Sequence, residues 1–261
     1  MDAIRCPAIF VSHGPPNMVV DPIAVRGFLA ALGGDLPRPR AVLCVSAHWI
    51  TAAPSVTGTE RPETIHDFFG FAPELYRIAY PAPGDPALAA RVERLVRDAG
   101  FDCHMDPARG LDHGAWQPLI LMYPQAQVPV VQLSLIADAG AADHYRLGQA
   151  LTPLLQDGVL VLASGTATHN LTAWRRAPSA TPAWARAFET WLIDAVEQGD
   201  HDGLIDYLRR APEARSAHPS EDHFLPLLVA LGAGGPGPGR TLHRGFAYGS
   251  LSMAAFAFGA I

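Results

Sequence analysis

The sequence predicts one α/β domain, residues 1–261, built on a central mixed, mainly parallel sheet flanked by helices. Three observations lead there. Four apolar, β-branched-rich runs of strand length recur along the chain. Helical patterns fall between them, and alternating strands and helices favour parallel pairing. Nothing in composition marks a boundary within the 261 residues, a length that suits one large domain.

The runs are PAIFVS (7–12), AVLCVSA (41–47), VPVVQLSL (128–135) and GVLVLAS (158–164). Each is nearly continuous in apolar character, as expected of strands covered on both faces. After the second run, Asp85 can cap a helix with Pro86 at its first position, and Gly100 ends it. Leu88, Val92, Leu95, Val96 and Ala99 share one face of that segment. Similar helices are expected over 141–155, 181–198 and 221–231, with GAGGPGPG (232–239) as a loop. No internal repeat is evident.

Composition narrows the function. With 49% apolar and 17% charged residues, the chain can bury a sizeable core. Its net charge is −6, and all nineteen basic residues are Arg. The lack of Lys excludes a Schiff-base or P-loop lysine. Basic residues adjoin only at Arg175-Arg176 and Arg209-Arg210, so a nucleic-acid partner is not expected. No run approaches a membrane span, the first apolar run is too short for a signal peptide, and no membrane partner is expected. Cys6, Cys44 and Cys103 form no CxxC pair and read as buried free thiols. A reduced, cytoplasmic setting is the expectation. Oligomeric state is not legible.

The distinctive count is eleven histidines. His13 (VSHGPPN), His48 (VSAHW) and His169 (SGTATHNL) each lie just past a predicted strand. That edge of an open α/β sheet is where ligands bind. His113 (GLDHGAWQPL) has a loop context, and His223 (PSEDHFLPLL) falls in the first turn of a predicted helix with Ser220 as its N-cap. Dispersed histidines are unlike a zinc finger, whose ligands come in close pairs, and suit a catalytic metal site assembled from several loops. Imidazole accepts Fe, Zn, Cu or Ni, so residue type does not name the metal. His66, beside Phe68, Phe69 and Phe71, reads equally as a substrate-pocket residue or as core. His218 lies close to His223 but precedes Pro219; His104, His144, His201 and His243 read as surface or packing residues.

Rival constellations fail. The chain has no GxSxG, GxxxxGK[ST] or HExxH, and no GxGxxG after a predicted strand. Ser46 or Ser164 as a nucleophile would leave the other histidines unexplained.

Taken together, SHGPPN, SAHW, TIHDF, LDHGAW, ASGTATHNL and PSEDHFLPL resemble the class III extradiol ring-cleavage dioxygenases of the LigB superfamily, in the 4,5-DOPA dioxygenase-like branch. The resemblance runs from about residue 8 to the closing GSLSM. It implies a non-haem metal, Fe(II) expected, with Zn(II) as an occupant on isolation. It implies His13, His48 and His223 as metal ligands, His169 as acid/base or fourth ligand, and His113 as a pocket residue that assists proton transfer. In the wider superfamily the third ligand is often Glu, and Glu221 stands two residues before His223. HGPPN also replaces the more usual HGSPM, which alters the loop after His13 and keeps the ligand. The implied reaction inserts both atoms of O2 beside the diol of a catechol, DOPA-like or otherwise bearing a side chain, to give a muconic semialdehyde. A zinc-dependent hydrolase on the same histidines is the alternative enzyme, and a non-enzymatic binding protein on this scaffold is the alternative outside catalysis.

Overall fold

A computed structural model describes residues 5–176 and 180–259. Its strands are β1 (Ala8–Ser12), β2 (Ala41–Thr51), β3 (Ser55–Thr57), β4 (His104–Asp106), β5 (Val130–Ile136), β6 (Val159–Gly165), β7 (Arg240–His243), β8 (Phe246–Ala247), β9 (Leu251–Ser252) and β10 (Ala255–Phe258). The helices are α1 (Ala24–Asp35), α2 (Pro86–Asp98), α3 (His113–Met122), α4 (Ala141–Gln156), α5 (Leu171–Arg175), α6 (Ala183–Gln198), α7 (His201–Ile205), α8 (Tyr207–Arg210), α9 (Ala214–Ala217) and α10 (Leu225–Gly234). Eight strands form one sheet in the order β4-β3-β5-β2-β6-β1-β10-β7, and β8 and β9 form a separate ribbon.

The four predicted runs are the adjacent central strands β5-β2-β6-β1, all parallel. Register follows from burial: Leu162 of β6 lies between Ile9 of β1 and Cys44 of β2. Alternate residues serve opposite faces. Phe10, Leu43 and Val161 pack under α2, α4, α6 and α10. Ile9, Val42, Cys44 and Leu162 pack under α1 and α3. Each such side chain removed from water contributes about 1.5–3 kcal/mol, so slipping a strand by one residue is heavily disfavoured. The flanks add antiparallel pairs, β10 on β1, β7 on β10 and β3 on β5, while the edge strand β4 pairs parallel with β3. The sheet is therefore mixed and mainly parallel, as expected.

Helix ends follow their capping chemistry. Asp85 accepts the Leu88 N–H at 2.9 Å and starts α2 at Pro86. The last predicted helix needs correcting: α10 begins at Leu225, not 221, and Ser220 does not cap it. Leu225 to Ala233 are all buried, so α10 has no polar face from which its ends could be read. It runs to Gly234, leaving a shorter loop than 232–239. His113 lies not in a loop but at the first position of α3. The three cysteines are buried free thiols. Among the described residues, no helix is long and apolar enough to cross a membrane.

Candidate metal centre

Five histidines converge at the C-terminal edge of the central strands, each placed by a local device. His13 follows β1, and its N–H donates to Gly165 O of β6 at 2.9 Å. Ser12 Oγ ties the same point to Ala254 O at 2.8 Å and accepts the Ala167 N–H at 3.0 Å. His48 does not follow β2, as expected, but lies inside it. There the pairing with β5 slips: Val45 faces Leu133, yet Ile50 faces Leu135. The extra β2 residues bulge from the ladder and aim His48 off the sheet. Asp112 caps α3 by accepting the Ala115 N–H at 3.1 Å, which sets His113 on the first turn. A Cβ on Gly114 would lie 2.3 Å from Ser46 Oγ and 3.0 Å from His48 Cδ2, so only glycine lets α3 approach this closely. His223 sits in the turn before α10, where its carbonyl accepts the Thr166 N–H at 3.1 Å. The His169 N–H donates to Ala217 O at 2.8 Å.

His13 Nε2 and His48 Nε2 are 3.0 Å apart. Ring centroids are separated by 5.5 Å for His13–His113, 5.3 Å for His13–His223 and 5.0 Å for His48–His223. His169 stacks on His223 at 3.4 Å. Donor atoms of His13, His48 and His113 lie within 4.8 Å of one another, and so do those of His169, Asp222 and His223. The ligand set implied by the resemblance, His13, His48 and His223, spans both groups.

The opposite ring nitrogens explain why these lone pairs are free. His13 Nδ1 lies 3.0 Å from Ser164 Oγ, whose own proton goes to Gly114 O. His223 Nδ1 meets Asp222 Oδ2 at 2.6 Å. Asp67 Oδ2 lies 3.0 Å from His113 Nδ1 and 3.5 Å from His48 Nδ1. With protons held on the Nδ1 side, the Nε2 lone pairs point inward. Burial first, then the neighbouring imidazoles, hold His13 and His48 well below the usual histidine range, hence neutral. The same causes push His169 down to about 2. Burial would raise Asp67 and Asp222, but hydrogen bonding and attraction from His113 and His223 respectively outweigh it and hold both carboxylates low. Neutral imidazoles backed by oxygen acceptors are the donor chemistry a divalent transition metal takes, so the residues fit such an ion.

The other candidates separate cleanly. Glu221 points elsewhere and accepts the Tyr207 hydroxyl at 3.1 Å. His66 is not among the residues lining the cavity. Its Nε2 lies 2.9 Å from Ile78 O, and its ring packs on Phe68 and Trp116. His218 is buried behind the site, donating to Ala167 O at 2.9 Å. Sequence reasoning missed Asp67, Asp222, Ser164 and Asp112. Buried Asp112 joins Ser46 Oγ (2.7 Å), Gln132 and Arg109 beneath His48. Asp67, Asp222 and Asp112 had a signal in hand, since each adjoins a histidine already singled out.

A cavity of about 500 Å³ opens over the histidines. Pro15, Pro16, Phe68, Phe71, Trp174 and Leu251 give it apolar walls, and Phe69 stands 90% exposed at the rim. Arg175 is the lining guanidinium.

The chain belongs to the LigB family: the family model described as the catalytic LigB subunit of aromatic ring-opening dioxygenase matches residues 7–259. A 4,5-DOPA dioxygenase extradiol from Beta vulgaris is 41% identical over 254 residues, covering 95% of each chain. A protein of the same name from Escherichia coli (strain K12) is 41% identical over 260 residues, 97% of this chain and 94% of that one. These likenesses make the chain an extradiol ring-cleavage dioxygenase. The crystal structure of an uncharacterized protein from Escherichia coli K12 shares the fold, with a TM-score of 0.82 and 36% identity over 98% of this chain and 100% of that one.

Proposed function

We propose that this dioxygenase holds Fe(II) through His13, His48 and His223, tolerates Zn(II) at the same place, and cleaves a single-ring catechol bearing a side chain. One observation carries the reading. The Nδ1 atoms of all three rings face oxygen acceptors, so their Nε2 atoms are left as donors beneath an apolar cavity. A metal held there would supply open positions for the diol oxygens and the redox chemistry that lets O2 react at the ring carbon beside the diol. The chain's own residues do the rest. His169 stacks on His223 and, among the described residues, has no hydrogen bond to its ring, so it is free to take a proton from a catechol hydroxyl. His113, on the far side, holds the substrate oxygen or returns a proton to it. Phe68, Phe71 and Trp174 enclose the ring and keep water out. Arg175 at the wall suits an acidic end on the side chain.

The test pairs metal content with product. His13→Ala, His48→Ala and His223→Ala should each lose the metal, because two ligands hold a divalent ion poorly. Glu221→Ala should keep it. His169→Ala should keep the metal yet lose about 10²-fold in turnover, the usual worth of a positioned base. With Fe(II) and ¹⁸O₂, both labelled atoms should enter a semialdehyde. Unlabelled product, with cleavage of an ester or amide by the zinc form, would replace this reading with a hydrolase.

A further inference from the structure

The geometry points to Asp67 as a positioning residue that fixes the tautomers of two active-site histidines at once. Its carboxylate sets the inward nitrogen of His48, a ligand in the proposed metal site, and of His113. The inference rests on that reading of the site for its consequence, but not for its geometry.

Asp67 lies in an irregular segment that is nevertheless tied down at Ile65, two residues before it. The Ile65 N–H donates to Leu111 O at 2.8 Å, and Trp116 Nε1 donates to Ile65 O at 2.9 Å. Both anchors belong to the stretch that leads into and forms α3, so Asp67 is held against the helix that carries His113. Its two oxygens do different jobs. Oδ1 accepts the His113 backbone N–H at 2.9 Å. Oδ2 faces His113 Nδ1 at 3.0 Å and His48 Nδ1 at 3.5 Å. The 3.0 Å approach of Oδ2 is an ion-pair contact, not an aligned hydrogen bond, and among the described residues no hydrogen-bonding partner reaches His113 Nδ1, which leaves Asp67 as the oxygen facing it.

A neutral imidazole carries one proton on either nitrogen, and the partner of one nitrogen decides the state of the other. A carboxylate accepts and cannot donate. Facing Asp67, both rings place the proton on Nδ1 and present Nε2 as a lone pair. The competing state is specific to this site. His48 Nε2 is 3.0 Å from His13 Nε2. A proton on His48 Nε2 would form a direct hydrogen bond to His13 and consume both donor atoms together. Asp67 disfavours that closed pair and keeps the site open to a cation. On the His113 side it keeps an acceptor facing the cavity, where a hydroxyl proton can be received.

Asp67→Asn is the informative change. It retains the acceptor for the His113 N–H, and so the fold, but offers an amide N–H₂ that favours the opposite tautomer. In metal-free protein, imidazole ¹⁵N spectra should show His48 and His113 with the proton on Nδ1 in the wild type. The proton should move to Nε2 for at least one ring in the variant. Zn(II) affinity, measured by competition with a chelating dye, should fall about 10- to 100-fold, the usual effect of removing a partner behind a ligand. Asp67→Glu should recover part of it. Unchanged tautomers together with Zn(II) affinity within about twofold of wild type would overturn the proposal. If the wild type binds no Zn(II), the metal reading fails instead, and the metal-free spectra still decide the role of Asp67.

Discussion

At the scale of single residues, the site is ordered by what stands behind each imidazole. Histidines at strand ends were visible in the sequence because a ligand edge needs them there. Their oxygen partners were not, because Ser164 and Asp67 lie 151 and 19 positions from His13 and His48 respectively and meet them only in the fold. Glu221, the rival that the resemblance offers for the third ligand, accepts the Tyr207 hydroxyl at 3.1 Å, a contact that nothing near it in sequence announces. Arg175 belongs to the same class of late discovery, since nothing near it in sequence marks a cavity wall. Its prediction is one of selectivity. Arg175→Gln should raise KM about tenfold for catechols ending in a carboxylate, the lower range for a hydrogen bond to a charged group. KM for a neutral alkylcatechol should stay the same. An equal rise for both substrates would mean that Arg175 shapes the cavity without reading charge.

At the scale of elements, legibility followed burial. The four central strands were readable because both faces of each are covered, which writes an unbroken apolar run. The edge strands β3 and β4, three residues each, leave no such pattern. α3 carries Pro118 inside and is buried at nearly every position, so neither its periodicity nor its ends announce a helix. The slip in β2 is equally silent, though it is what turns His48 inward. Where β6 meets the turn before α10 the packing leaves no slack: a Cβ on Gly165 would lie 2.2 Å from His223 O. Gly165→Ala should therefore displace the turn, cost about 1–3 kcal/mol in denaturant unfolding, and weaken metal binding. A variant with wild-type stability and metal content would show that the turn yields without moving His223.

At the scale of the whole molecule, stability and the site are linked through ligands drawn from distant parts of the chain. An ion that binds only the folded form stabilises it by about 2.7 kcal/mol at a hundred times Kd. For a chain of this size that corresponds to a Tm rise of roughly 5–10 °C. Chelation followed by calorimetry should show a drop of this order, reversed by adding Zn(II). His13→Ala should melt at the same temperature with or without the ion. A chelated wild type that melts unchanged would place the metal outside the cooperative fold.

β1 lies between β6 and β10, and Ser12 is bonded to Ala254 across 242 positions of sequence. The strand that leads into His13 is thus synthesised before every other strand of the sheet and enclosed only when β10, the last of them, pairs with it. While the chain emerges from the ribosome, His13 precedes by far the Gly165 carbonyl and Ser164 hydroxyl that will orient it. A nascent chain offers metal one loosely held imidazole at a time, too little to retain an ion. With the proposed ligands His13, His48 and His223 spread along the chain, stable loading should await the packing of the turn that carries His223 against β6.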